Sequence, residues 1–140
     1  MANFNRVDLD AHAQLSEFKA SGVVRPGDLL GRDATGVGAN ANDGEGGILF
    51  AMHDRLQGKT VADNYASGDM VQCFAPRKGS LVWAWLADEQ NIAVGAPLSN
   101  NATGGLRAAV IGTDAVVAYA EEALDLTGAA GDDRIVVRVA

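Results

Sequence analysis

The densest grouping of chemically useful residues in this sequence is Gly36-Val37-Gly38-Ala39-Asn40-Ala41-Asn42-Asp43-Gly44-Glu45-Gly46-Gly47. A phosphate-cradling loop sets its glycines between a strand and a helix, so that N–H groups and the helix dipole face the anion. Here the glycines lead into a strand-like run with no G-K-[ST], and no nucleotide site is expected. Asn40, Asn42, Asp43 and Glu45 carry oxygens suited to calcium, but Ala41 falls at a ligand position and breaks the EF-hand spacing. A polar loop is the expectation. Nucleophilic catalysis needs a base beside its nucleophile. His12 and His53-Asp54 offer bases, yet no G-x-S-x-G or comparable signature accompanies them. Glu121 and Glu122 are adjacent, which puts them on opposite faces of a strand and makes them a poor acid/base pair. Cys73 shares a strand face with Val71 and Ala75 and is expected as a small buried residue. As the one cysteine, it allows neither an intrachain disulfide nor a multi-cysteine zinc site. The reading is therefore no enzyme, no catalytic residue, no cofactor and no metal.

Two other groups stand out by type and spacing. Leu81, Trp83 and Trp85 alternate along one run, and Arg77-Lys78 is the one adjacent basic pair in an acidic chain. Their placement depends on the elements around them. From Ser21 onward glycine is frequent and short β-type runs alternate with turn signals, the pattern of an all-β sandwich or compact barrel of short strands and hairpins. Arg25-Pro26-Gly27-Asp28 has proline and glycine at the central positions that a type II turn prefers. Strands are predicted over Ile48 to His53, Asp69 to Ala75, Leu81 to Leu86, Val116 to Ala120 and Ile135 to Val139. Pro76-Arg77-Lys78-Gly79 is predicted as a hairpin tip between the second and third. Alternation puts Ile135, Val137 and Val139 on a core face and Arg134, Val136 and Arg138 on a wet one. The Leu81–Leu86 strand is apolar on both faces, because Val82, Ala84 and Leu86 oppose the tryptophans, so both faces need cover. The segments 27–36 and 95–104 both read G-x-x-L-x-x-x-A-T-G, which predicts two similarly built hairpins on one sheet system.

Residues 1–21 contain no glycine and carry Ala11, Leu15 and Phe18 at helical spacing behind Asp8 or Asp10. They are read as an N-terminal arm or short helix, and residues 22–140 as a single β domain. With 140 residues the chain has enough surface to bury a core unaided. Its 18 acidic residues against 11 basic ones give a formal charge of −7 and no basic run, which argues against nucleic acid and acidic membranes as partners. No segment reaches the length of a membrane span, and the first residues lack the apolar core of a signal peptide, so a cytoplasmic origin is expected.

The block Asp54-Arg55-Leu56-Gln57-Gly58-Lys59 running into Tyr65-Ala66-Ser67-Gly68-Asp69-Met70-Val71 resembles a family of tailed-phage head decoration, or capsid cement, proteins. So do Asn91-Ile92-Ala93-Val94-Gly95-Ala96-Pro97-Leu98, Gly104-Gly105-Leu106-Arg107, Ala115 to Ala120, Glu122-Ala123-Leu124-Asp125 and the final run Arg134 to Val139. The resemblance covers about two-thirds of the chain. It implies a β-barrel-like domain that binds the outer capsid surface of a bacteriophage virion, commonly as a homotrimer, and stabilises the shell without catalysis. Its partners would be the major capsid protein and itself, and it would be made in the bacterial host cytoplasm. On that reading Leu81, Trp83 and Trp85 are candidates for the oligomer interface. Phe4, Leu9, Leu15, Phe18, Arg77 and Lys78 are candidates for capsid contact. The alternative is a small β carrier or binding module, with a lipoyl-like hairpin presenting Lys78.

Overall fold

A computed structural model describes residues 4–10, 15–45, 47–128 and 130–140. The described residues form an all-β fold with one 3-10 turn, Arg55–Gln57, and no α-helix. Its strands are β1 (Leu15–Lys19), β2 (Leu30–Asp33), β3 (Gly36–Ala39), β4 (Phe50–Ala51), β5 (Met70–Phe74) and β6 (Leu81–Leu86). They continue with β7 (Asn91–Ile92), β8 (Pro97–Asn100), β9 (Leu106–Ala108), β10 (Ala118–Ala120), β11 (Leu124–Asp125) and β12 (Asp133–Val139).

Five strands close a barrel in the order β10-β12-β6-β9-β8, with β8 joined back to β10. The β6–β12 ladder is the longest, pairing Asp133 with Leu86 through Arg138 with Leu81. β6 meets β9 in parallel at a single position, Leu86 with Leu106, so the first half of β6 is left without a strand on that edge. Residues 7–9 fill the gap: Trp83 N–H donates to the Val7 carbonyl (2.9 Å), Leu9 N–H donates to the Leu81 carbonyl (3.1 Å), and Asp8 bridges Val82. The Asp10 carboxylate accepts the Leu81 N–H at 2.8 Å. The start of the N-terminal segment is thus a cover for an open sheet edge.

The barrel interior holds Val82, Ala84 and Leu86 of β6 against Leu98, Leu106, Ile135 and Val137, all removed from water. Alternation on β12 is as read from sequence for Ile135, Val137 and Val139. A second cluster, with Val24, Leu30, Val37, Tyr65, Val71 and Cys73, lies under the sheet β1-β5-β4. Cys73 is buried there, and burial pushes its thiol up to about 12.

Three local expectations differ from the structure. The helical alternative for the N-terminal segment does not form where it is described: Leu15–Lys19 is β1, antiparallel to β5, and Ala11 lies outside the described residues. Leu15 and Phe18, three apart, then turn toward different clusters, as a strand requires. The run 76–79 does not close a hairpin, because β5 pairs with β1 and β4 while β6 pairs with β12 and β9. It is a crossing between sheets, turned by a Ser80 N–H bond to the Arg77 carbonyl (3.0 Å). The two G-x-x-L repeats do form hairpins, β2–β3 and β8–β9, but in different sheets. They abut, since Leu29 N–H donates to the Gly104 carbonyl at 2.8 Å and Gly104 backs onto the Asp28 carboxylate.

Candidate functional site

The outer face of β6 lines a cleft of about 390 Å³, walled by Trp83, Trp85, Arg25, Arg134, Val61 and Asn64. Arg25 enters it from the turn Arg25-Pro26-Gly27-Asp28, closed by a 3.0 Å bond from the Asp28 N–H to the Arg25 carbonyl. Gly27 has φ +97°, and a Cβ there would stand 2.9 Å from the Trp83 carbonyl oxygen. Glycine is required twice over, by the backbone angle and by the strand it lies against. The Trp85 indole N–H donates to the Pro26 carbonyl at 3.0 Å and locks the turn to β6.

Arg134 is the residue that sequence reasoning misplaced. Expected on the wet face of β12, it is buried, because its ladder partner is Trp85 and its guanidinium lies 4.7 Å from the Trp83 ring centre and 4.6 Å from that of Trp85. Cation–π attraction is strongest where the cation is desolvated. Arg134 Nη2 donates to the Val61 carbonyl at 2.5 Å, which fastens the loop 58–64 over the cleft. Burial pulls the Arg134 guanidinium down to about 10, and the nearby charge of Arg25 acts in the same direction. Arg25 itself stacks 4.3 Å from the Trp85 ring centre and pairs with Asp28 and Asp132, each at 3.0 Å. Burial dominates over these pairings at Asp28 and raises its pKa above the ordinary carboxylate value. Nη1 of Arg134 and the indole nitrogen of Trp83 have no hydrogen-bond partner among the described residues.

The other candidates occupy three places. Phe4 packs edge-on against Trp83, ring centres 5.4 Å apart, and Leu9 pairs along β6 beside Leu81. Leu15 packs on the barrel core, while Phe18 packs on the second cluster beneath the Arg32 guanidinium at 4.0 Å. Arg77 and Lys78 are exposed on the crossing between sheets. Trp83 is 6% exposed and Trp85 and Leu81 are half-buried, so a single chain already covers most of the tryptophan face. His53 is buried with Asp54, and burial, followed by the charge of Arg55, pushes its imidazole below its usual range; His12 lies outside the described residues.

A second feature was not singled out from sequence. Val94, Val110, Ile111 and Tyr119 are exposed, and the backbone places them near one rim of the barrel. Ala109 N–H donates to the Pro97 carbonyl (3.0 Å), Tyr119 pairs with Pro97, and Gly95 N–H donates to the Ala120 carbonyl (2.7 Å). The Val110–Ile111 turn is held by the Asp114 carboxylate, which accepts the Val110 N–H at 2.7 Å and both terminal nitrogens of Arg107 at 2.6 and 3.2 Å. These bonds hold the Asp114 carboxyl below the usual range.

A closed five-stranded barrel with satellite two- and three-stranded sheets is the class of fold these residues build. No protein-family model matches the sequence, and no curated protein matches it. Among solved structures, the chain is similar to the N base of the head fiber gp8.5 in bacteriophage phi29, with a TM-score of 0.59 at 14% sequence identity. The likeness covers 91% of this chain and 94% of the other. It is a likeness of fold.

Proposed function

We propose that this chain is a non-catalytic structural protein of a phage head, attached to the outer surface of the capsid as a decoration or cement protein. One observation carries the reading: a fold shared over nearly the whole of both chains with the base of a phage head fiber. The order of sequence blocks that resembles the head decoration family supports it independently. The finer assignment has the chain reinforce the shell through contacts with the major capsid protein and with other copies of itself, as a homotrimer. Between copies, the exposed parts of Leu81 and Trp85 beside Trp83 meet a neighbour, and the apolar rim of Val94, Val110, Ile111 and Tyr119 offers further surface. Toward the capsid, Lys78 of the Arg77-Lys78 pair lies three residues before Leu81, whose carbonyl accepts the Leu9 N–H. Apolar contact comes from Leu9 beside Leu81 and Phe4 against Trp83, and separately from the exposed parts of Leu15 and Phe18 on opposite faces of β1. Many weak identical contacts on one lattice add up through avidity.

The test is cosedimentation of the purified chain with purified heads of the source phage. Saturable binding to heads, weakened by Arg77→Glu with Lys78→Glu and accompanied by slower thermal disruption of the shell, is the expected result. A chain left in the supernatant at every concentration and salt condition overturns the reading.

A further inference from the structure

We propose that the Trp83–Trp85–Arg134 cleft is a binding site for a carboxylate side chain, glutamate or aspartate, presented by a partner protein. Arg134 is 6% exposed and has no carboxylate paired with it among the described residues, whereas Arg25 beside it is paired with two. Asp28 and Asp133 act on it as nearby negative charges, but neither forms an ion pair with it, and stacking on two indoles answers only the faces of its plane. Nη1 of Arg134 is unbonded, and so is the indole N–H of Trp83, a residue 6% exposed whose ring centre lies 4.7 Å from the guanidinium. The cleft therefore carries two unanswered donors and no matching acceptor. A carboxylate brings one negative charge and two acceptor oxygens, which fits that complement.

The walls select further. Val61 and the two indole rings suit the methylene stem of an acidic side chain, and Asn64 stands at the rim. With Asp28 and Asp132 already paired to Arg25, the one guanidinium left without an ion pair suits a singly charged carboxylate better than a doubly charged phosphate or sulfate. Both donor atoms are closed from bulk water, and the loop 58–64 is tied to Arg134 by the bond from Nη2 to the Val61 carbonyl. Binding needs a local opening that brings these donors to the cleft while Val61 and the indole rings remain as its walls. Burial first, and then the charge of Arg25, lowers the basicity of Arg134 against the opposing pull of Asp28 and Asp133. This inference concerns the chemistry of the cleft and stands apart from the head-binding reading, because its test uses no phage component.

The sequence has two tryptophans and both wall the cleft, so intrinsic emission reports on it directly. The full chain is titrated at pH 7 and constant ionic strength with a short peptide carrying one glutamate between apolar residues. The same peptide with glutamine, sodium acetate and sodium sulfate are titrated in parallel. The expected result is a saturable change in emission with the glutamate peptide and at least tenfold weaker response to the glutamine peptide, a difference of about 1.4 kcal/mol. Arg134→Lys, which keeps charge but not the planar fork, should weaken the glutamate peptide tenfold or more. Should that variant not fold, the wild-type comparison decides alone. Equal responses to glutamate and glutamine peptides overturn the proposal, as does the absence of any saturable response. Acetate binding as tightly as the peptide overturns the protein partner in favour of a small-anion site. Sulfate binding more tightly than either overturns the carboxylate assignment.

Discussion

Replacing Gly27 by alanine tests the packing of the Arg25–Asp28 turn on β6. The residue has φ +97°, where an L side chain is disfavoured by about 1–2 kcal/mol. The added Cβ would also stand 2.9 Å from the Trp83 carbonyl oxygen, a backbone atom in the longest ladder of the barrel, and 3.3 Å from Cδ1 of Trp85. Forcing that apart adds about 1–2 kcal/mol of local strain. Gly68→Ala is the matched control: its φ is +92° with nothing within 4 Å of the added atom, so only the backbone cost applies. For a chain of 140 residues the entropy of unfolding is roughly 0.3 kcal/mol per degree. The expected drop in Tm is then about 7–13 °C for Gly27→Ala and about 3–7 °C for Gly68→Ala. Urea and thermal unfolding followed by tryptophan emission measure both, and the native emission maximum should move in Gly27→Ala alone. Equal losses in the two variants, with unchanged native emission, would refute the packing of this turn on β6.

Other consequences follow from the same interactions. Leu98→Ala empties a site with no exposure inside the barrel and should cost about 2–5 kcal/mol in urea unfolding, with an unchanged m-value. Asp33, Asp63, Asp114 and Asp125 all have pKa values below the ordinary 3.8, held there mainly by hydrogen bonds from their turns or from Arg107. Their contribution to stability is present above that ordinary value and is lost as pH falls through the depressed ones. Asp28 acts with the opposite sign, since its raised pKa favours the folded form as it protonates. Urea midpoints measured from pH 7 to pH 2 should therefore fall below about pH 4, and Asp114→Asn should flatten that decline. Cys73, fully buried with its thiol pushed up to about 12, should resist an aromatic disulfide reagent at pH 8 in buffer and react completely in urea.

Local periodicity made a large part of this fold legible. Leu81–Leu86 is a strand with the bounds read from sequence, and the inward face of β12 follows from alternation. The type II turn at Pro26-Gly27 follows equally from two residues. Pairing over distance was not legible. A four-residue turn such as 76–79 looks the same whether its flanking strands pair or part, and here they part. Leu15 and Phe18 fit a helix stripe until β5, more than fifty residues away, supplies the ladder that makes them a strand. The cleft was half legible. Alternation marks Trp83 and Trp85 as a face requiring cover, but it sets Arg134 toward solvent, because Arg134 shares a face with the charged Arg138. Only the β6–β12 register, which sets Arg134 opposite Trp85, covers Arg134, while Val136 is half-buried and Arg138 stays exposed on the same face.

The most direct test of the head-protein account is quantitative mass spectrometry of purified particles from the source phage, counting copies of this chain against the major capsid protein. The account predicts a fixed ratio that survives repeated density-gradient purification and falls when heads are stripped of their outer proteins. A chain abundant in infected cells yet missing from purified particles would contradict it.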